Sequence, residues 1–96
     1  MTKMSERFER AYSAKAYDVV SAVRMYDQVI EKEPDNYAAW NNRGVCKIEI
    51  GIAEKNQDMF VQGKADLQKA IELAAVIVGK YPMAELNLEW VDELID

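Results

Sequence analysis

Residues Ala22 to Gly51 read AVRMYDQVIEKEPDNYAAWNNRGVCKIEIG, and the reading of the whole chain turns on them. Pro34 cannot continue a helix, because it lacks the amide proton and its ring clashes with the preceding turn. Before it, Val19, Val20, Ala22, Val23, Tyr26, Val29 and Ile30 recur at helical period, with Asp18 placed to cap them. After the turn residues Pro34, Asp35 and Asn36, a second periodic run puts Trp40, Gly44 and Ile48, with Val45 beside them, on one face as far as Gly51. The stretch therefore predicts two helices joined by a short turn.

The same periodicity extends in both directions. On the N-terminal side, Met4, Phe8, Ala11 and Tyr12 form one stripe and predict a helix over about 3–16. On the C-terminal side, the pattern loosens between Ile52 and Gln57. Asp58 then stands ahead of Phe60, Val61, Leu67, Ala70, Ile71, Ala74 and Ile77 or Val78, which predicts a long helix over about 58–78. Gly79 can adopt the left-handed conformation that stops a helix, and Pro82 prevents resumption in register. Met83, Leu86, Trp90, Val91 and Leu94 then give a last amphipathic helix over 82–95, with Glu85, Glu89, Asp92 and Glu93 among its other positions. The expected architecture is all-α with five helices.

Composition narrows the function. The 96 residues carry 17 acids against 12 bases, for a net charge of −5, so the attraction that nonspecific phosphate binding relies on is missing. Neither nucleic acid nor an anionic membrane is an expected partner. The chain has no histidine and one cysteine, Cys46, which rules out an internal disulfide, Cys/His zinc sites and an imidazole base. Cys46, mid-helix with nothing to activate it, reads as a buried, inert thiol. No Asp-x-Asp-x-Asp-Gly loop is present, so no metal and no cofactor is expected. Residues 1–18 hold no apolar run of signal-peptide length, and the expected setting is reducing and cytoplasmic. The longest run that raises a membrane question, Leu73 to Val78, is six residues where a span needs about 20, and it reads as a buried helix segment.

An internal repeat follows from the pattern. At an offset of 41, Val19 falls on Phe60, Val20 on Val61, Ala22 on Gly63, Tyr26 on Leu67, Val29 on Ala70 and Ile30 on Ile71. Similarity at such a period marks stacked helical hairpins, in which each unit borrows buried surface from its neighbour. Ala22, Tyr26 and Pro34, followed by Trp40 and Gly44, resemble the tetratricopeptide repeat family in residue type and interval, and DNYAAWNNRGVCKIEIG is similar to that family's inter-repeat turn and first helix. The resemblance covers about residues 3–78. It implies a right-handed stack of two antiparallel hairpins: repeat 1 over about 3–36, repeat 2 over about 37–78, and a capping helix over 82–95, in a single domain spanning 1–96.

Three features depart from the family pattern. Repeat 2 is about seven residues too long, which predicts a lengthened hairpin loop at 51–58 or a longer preceding helix. Ala75 replaces the terminal proline, so the long helix can run on to Val78. The first segment lacks a clear tryptophan and small-residue pair.

The resemblance implies a concave surface that binds an extended peptide or a helix. Its expected residues are Arg7, Asn41, Asn42, Val45 and Glu49, the asparagines being suited to a peptide backbone because an amide both donates and accepts. Trp90 and Leu94 are expected either to close the end of the long helix or to support self-association into a homodimer, since two hairpins and a cap are few for a stacked fold. The cation set with which some family members hold a terminal carboxylate is not matched: the corresponding positions are Arg7 with Ala11, Asn42 with Arg43, and Leu86 with Trp90. The leading expectation is a non-catalytic interaction scaffold with a protein or peptide partner. The alternatives are an inhibitor or antidote that binds a basic partner through its acidic C-terminal helix, and a small carboxylate-based enzyme. No motif places a nucleophile beside a base.

Overall fold

Asp18 opens the first described element of the computed structural model, which describes residues 18–95. Its carboxylate accepts the Val20 amide (3.0 Å) and the Ser21 hydroxyl (2.6 Å), so α1 (Val19–Lys32) starts on a satisfied cap. Four residues separate α1 from α2 (Tyr37–Glu54). In that turn Asn36 donates its amide to the Glu33 carbonyl and accepts from the Ala39 amide at 3.1 Å, ending one helix and starting the next. α3 (Gln57–Ile77) and α4 (Pro82–Leu94) complete an all-helical fold with no strand among the described residues. The expected helix over 3–16 lies outside the described residues.

Of the two expectations for the surplus residues, the longer preceding helix holds and the lengthened loop at 51–58 does not. The surplus residues are taken up in helix: α2 runs on to Glu54 and α3 begins at Gln57, leaving only Lys55 and Asn56 between them. Lys55 adopts the left-handed conformation (φ 52°), and both its amide and that of Asn56 donate to the Gly51 carbonyl, so two residues reverse the chain. The stop after α3 matches expectation. Gly79 has φ 95°, its amide and that of Val78 both donate to the Ala74 carbonyl, and Pro82 occupies the first turn of α4.

Two apolar clusters lie on either side of α2. The first joins α1 to α2 through Ala22, Tyr26, Val29, Ile30, Ala39 and Cys46, with half-buried Trp40 packed against it. Tyr26 is fully buried, as is the Cys46 thiol. The Trp40 indole donates to the Pro34 carbonyl at 2.9 Å, fixing its ring over the turn. The second cluster joins α2, α3 and α4 through Ile48, Phe60, Leu67 and Val91. Between the clusters, α2 and α3 meet backbone to backbone: a Cβ added at Gly44 would stand 2.9 Å from the Gly63 carbonyl oxygen, and one added at Gly63 would stand 2.8 Å from that of Gly44.

A second correction concerns Leu73 to Val78. Val76, Ile77 and Val78 are 87%, 51% and 57% exposed, not buried. Helix length explains this. At about 1.5 Å per residue the 21 residues of α3 outreach the 18 of its antiparallel partner α2 by about three residues, which is its last turn.

Candidate functional site

Helix α2 is central to the described fold, and its sides have different occupants. Ala39 and Cys46 point to the α1 cluster, while Gly44, Ile48 and Gly51 meet α3. Asn42, Val45 and Glu49, at spacings of three and four, share the sector left between these sides, and each is partly exposed. Ile52, 48% exposed, extends that stripe by one position. Three of the five expected groove residues are thus brought together on one helix face. Arg7 lies outside the described residues.

Asn41 belongs elsewhere and corrects the expectation for it. It is 1% exposed, its side-chain oxygen accepts from Asn87 Nδ2 at 3.1 Å, and its own Nδ2 donates to Asn42 Oδ1 at 3.2 Å. An amide with these bonds ties α2 to α4 and orients Asn42, so it does not offer itself to a peptide backbone. Beside it, Tyr37 and Tyr81 meet edge to face with ring centroids 5.1 Å apart, joining the first turn of α2 to the start of α4. Burial, with a smaller contribution from Tyr37, pushes the Tyr81 hydroxyl above the usual tyrosine range.

The other side of α2 carries an ionic network that the periodicity did not reveal. Arg43 donates from Nε and Nη2 to the two Asp66 oxygens at 2.9 and 2.8 Å, a bidentate geometry, and from Nη1 to Asp27 at 2.8 Å. Lys47 Nζ lies 3.2 Å from the same Asp66 carboxylate, whose side chain is 5% exposed. The guanidinium also lies over the Trp40 ring at 4.9 Å. Burial opposes the Arg43 charge, but the hydrogen bonds and charges of Asp66 and Asp27 outweigh it and hold the group above its ordinary value. One arginine therefore links three helices. The sequence did contain a signal: Asp66 stands three residues after Gly63 and four before Ala70, on the buried stripe of α3. A charge on an apolar stripe needs a partner.

Trp90 and Leu94 are half-buried and pack against the Ile48, Phe60, Leu67 and Val91 cluster. The large apolar side chains that α4 exposes are Met83 and Leu86.

Among the described residues no group of three or more metal-ligating side chains is gathered, and no helix is long and apolar enough to cross a membrane. The arrangement defines a class, an all-helical hairpin assembly whose central helix offers a mixed polar and apolar face. The chain is 35% identical over 72 residues, 75% of its length, to protein STIP1 homolog of Dictyostelium discoideum. It spans 11% of the length of that relative. No protein-family profile and no solved structure matches the chain.

Proposed function

We propose that the chain is a tetratricopeptide-type interaction module that binds a protein segment along the exposed face of α2, without catalysis. The observation that carries this reading is the stripe Asn42, Val45, Glu49 and Ile52. It combines an amide, a carboxylate and two apolar side chains on the sector that α1, α3 and α4 leave open. The neighbouring helices hold α2 by a glycine crossing and an ionic network, so the face is rigid before any partner arrives, which lowers the ordering cost of binding. The residues that carry the family resemblance act accordingly: Tyr26 fills the α1 and α2 junction and Trp40 lies over it. The likeness to protein STIP1 homolog, over three quarters of the chain, supports the same family.

Selection of a displayed random-peptide library on the full chain tests the proposal. Sequences enriched on the wild type should be lost on the triple variant N42A/V45S/E49Q, whose helix content and melting temperature serve as the control for folding. Equal enrichment on both proteins, or none on either, would overturn it.

A further inference from the structure

Nine large apolar residues are exposed among the described residues, and five of them, Val76, Ile77, Val78, Met83 and Leu86, fall within the eleven residues at the junction of α3 and α4. Scattered singly, exposed apolar side chains need no explanation, but a concentration at one end of a helix pair does. On α4, Leu86, Glu89 and Glu93 lie opposite the face formed by Ala84, Leu88 and Val91, with Met83 three positions before Leu86. The outer face of α4 is therefore an apolar start followed by carboxylates.

The charge around the patch identifies what covers it. Residues 81–95 contain Glu85, Glu89, Asp92 and Glu93 and no base, and Lys80 is the sole cation after Lys69. Asp92 is neutralised by Lys64 at 2.8 Å, whereas among the described residues no cation lies within 4 Å of Glu85, Glu89 or Glu93. A second copy of the chain docked here would bring two sets of these carboxylates together, a like-charge arrangement that disfavours the pairing. A complementary surface has an apolar ridge flanked by cations.

We propose that the α3 and α4 junction docks an amphipathic basic helix, its apolar ridge on Val76, Ile77, Met83 and Leu86 and its lysines or arginines against Glu85, Glu89 and Glu93. Helix packs on helix through rows of side chains three and four apart, which is the spacing this face presents. The surface is distinct from the α2 stripe, so the chain has two docking faces.

Fluorescence anisotropy with labelled peptides on the full chain tests this. The probes are an amphipathic leucine and lysine peptide of about 18 residues, the same peptide with glutamate for lysine, and a scrambled lysine peptide. The lysine peptide should bind, about tenfold more weakly for E89Q/E93Q or in high salt, and not detectably for V76S/L86S. Val76 and Leu86 are exposed, so that last variant should keep the wild-type melting temperature. Equal binding of the glutamate or scrambled peptide, or binding unchanged by V76S/L86S, would overturn the proposal. So would a concentration-dependent mass abolished by L86S, which would make a second copy the occupant. The N42A/V45S/E49Q variant should bind the lysine peptide as the wild type does, and loss of binding there would place the peptide on α2 instead.

Discussion

Asp66 is the side chain on which most depends for its size. Its carboxylate is nearly inaccessible and answers two cations that are themselves 13% and 15% exposed, so removing it strands both charges. D66A should destabilise the fold by about 3 to 5 kcal/mol, the range for breaking a buried pair from one side. Replacing Arg43, Lys47 and Asp66 together with apolar residues, as in R43M/K47M/D66L, should cost less than the single change, because no buried charge is left unpaired and Asp27, which loses Arg43, is 53% exposed to water. Urea titration of the two variants checks the order, and a triple variant less stable than D66A would show that the network contributes more than mutual neutralisation. Asp18 gives a pH-dependent counterpart at the surface. The Ser21 hydroxyl and the Ser21 and Val20 amides hold its carboxyl below the ordinary value of 3.8. Its folded pKa is depressed, so the stabilisation is complete above the unfolded value of 3.8 and is lost as pH falls through the folded pKa. The melting temperatures of wild type and D18N should therefore differ at neutral pH and converge in acid; a constant gap would refute the assignment.

Among the helices, the α2 and α3 crossing sets the closest approach. Alanine is favoured over glycine inside a helix by about 1 kcal/mol, so propensity alone predicts that G44A stabilises. The space says otherwise. The new methyl would meet the Gly63 carbonyl oxygen at 2.9 Å and Asp66 Cβ at 3.1 Å, and a backbone carbonyl moves only if the helices separate. Overpacking of this kind costs about 1 to 3 kcal/mol, and separation would also loosen the Arg43 to Asp66 bonds. The expected outcome is a net loss of stability for G44A and for G63A, read by thermal melts. A gain in either would mean that the helices can shift apart freely.

Across the molecule, the two clusters divide the cooperativity. α2 is shared by both, but α4 is held through a smaller set: buried Ala84 and Val91, the half-buried side chains around them, the Asn87 to Asn41 bond, the Lys64 to Asp92 pair and, at its start, the Tyr37 to Tyr81 contact. V91A removes packing from the middle of that set and should cost about 2 kcal/mol. Its effect should be uneven. In native-state hydrogen exchange the α4 amides should lose protection before those of α1, which belongs to the other cluster. Uniform loss across all the described helices would show a single cooperative unit.

The line of inference from sequence to structure has a definite limit. The positions of the four described helices, the turn at Pro34, the Gly79 stop, the Asp18 cap and the burial of Tyr26 and Cys46 follow from local chemistry: period, capping groups and backbone freedom act within a few residues of one another. The grouping of Asn42, Val45 and Glu49 was legible for the same reason, since residues three and four apart on one helix share a face wherever that helix lies. The partners of Asn41, Arg43 and Asp66 on other helices were not legible, because those bonds join residues 16 to 46 positions apart in the chain. Nor was the fate of Val76 to Val78. Period makes them apolar helix, but burial depends on the length of the neighbour, and α2 ends its shared span with α3 before reaching them.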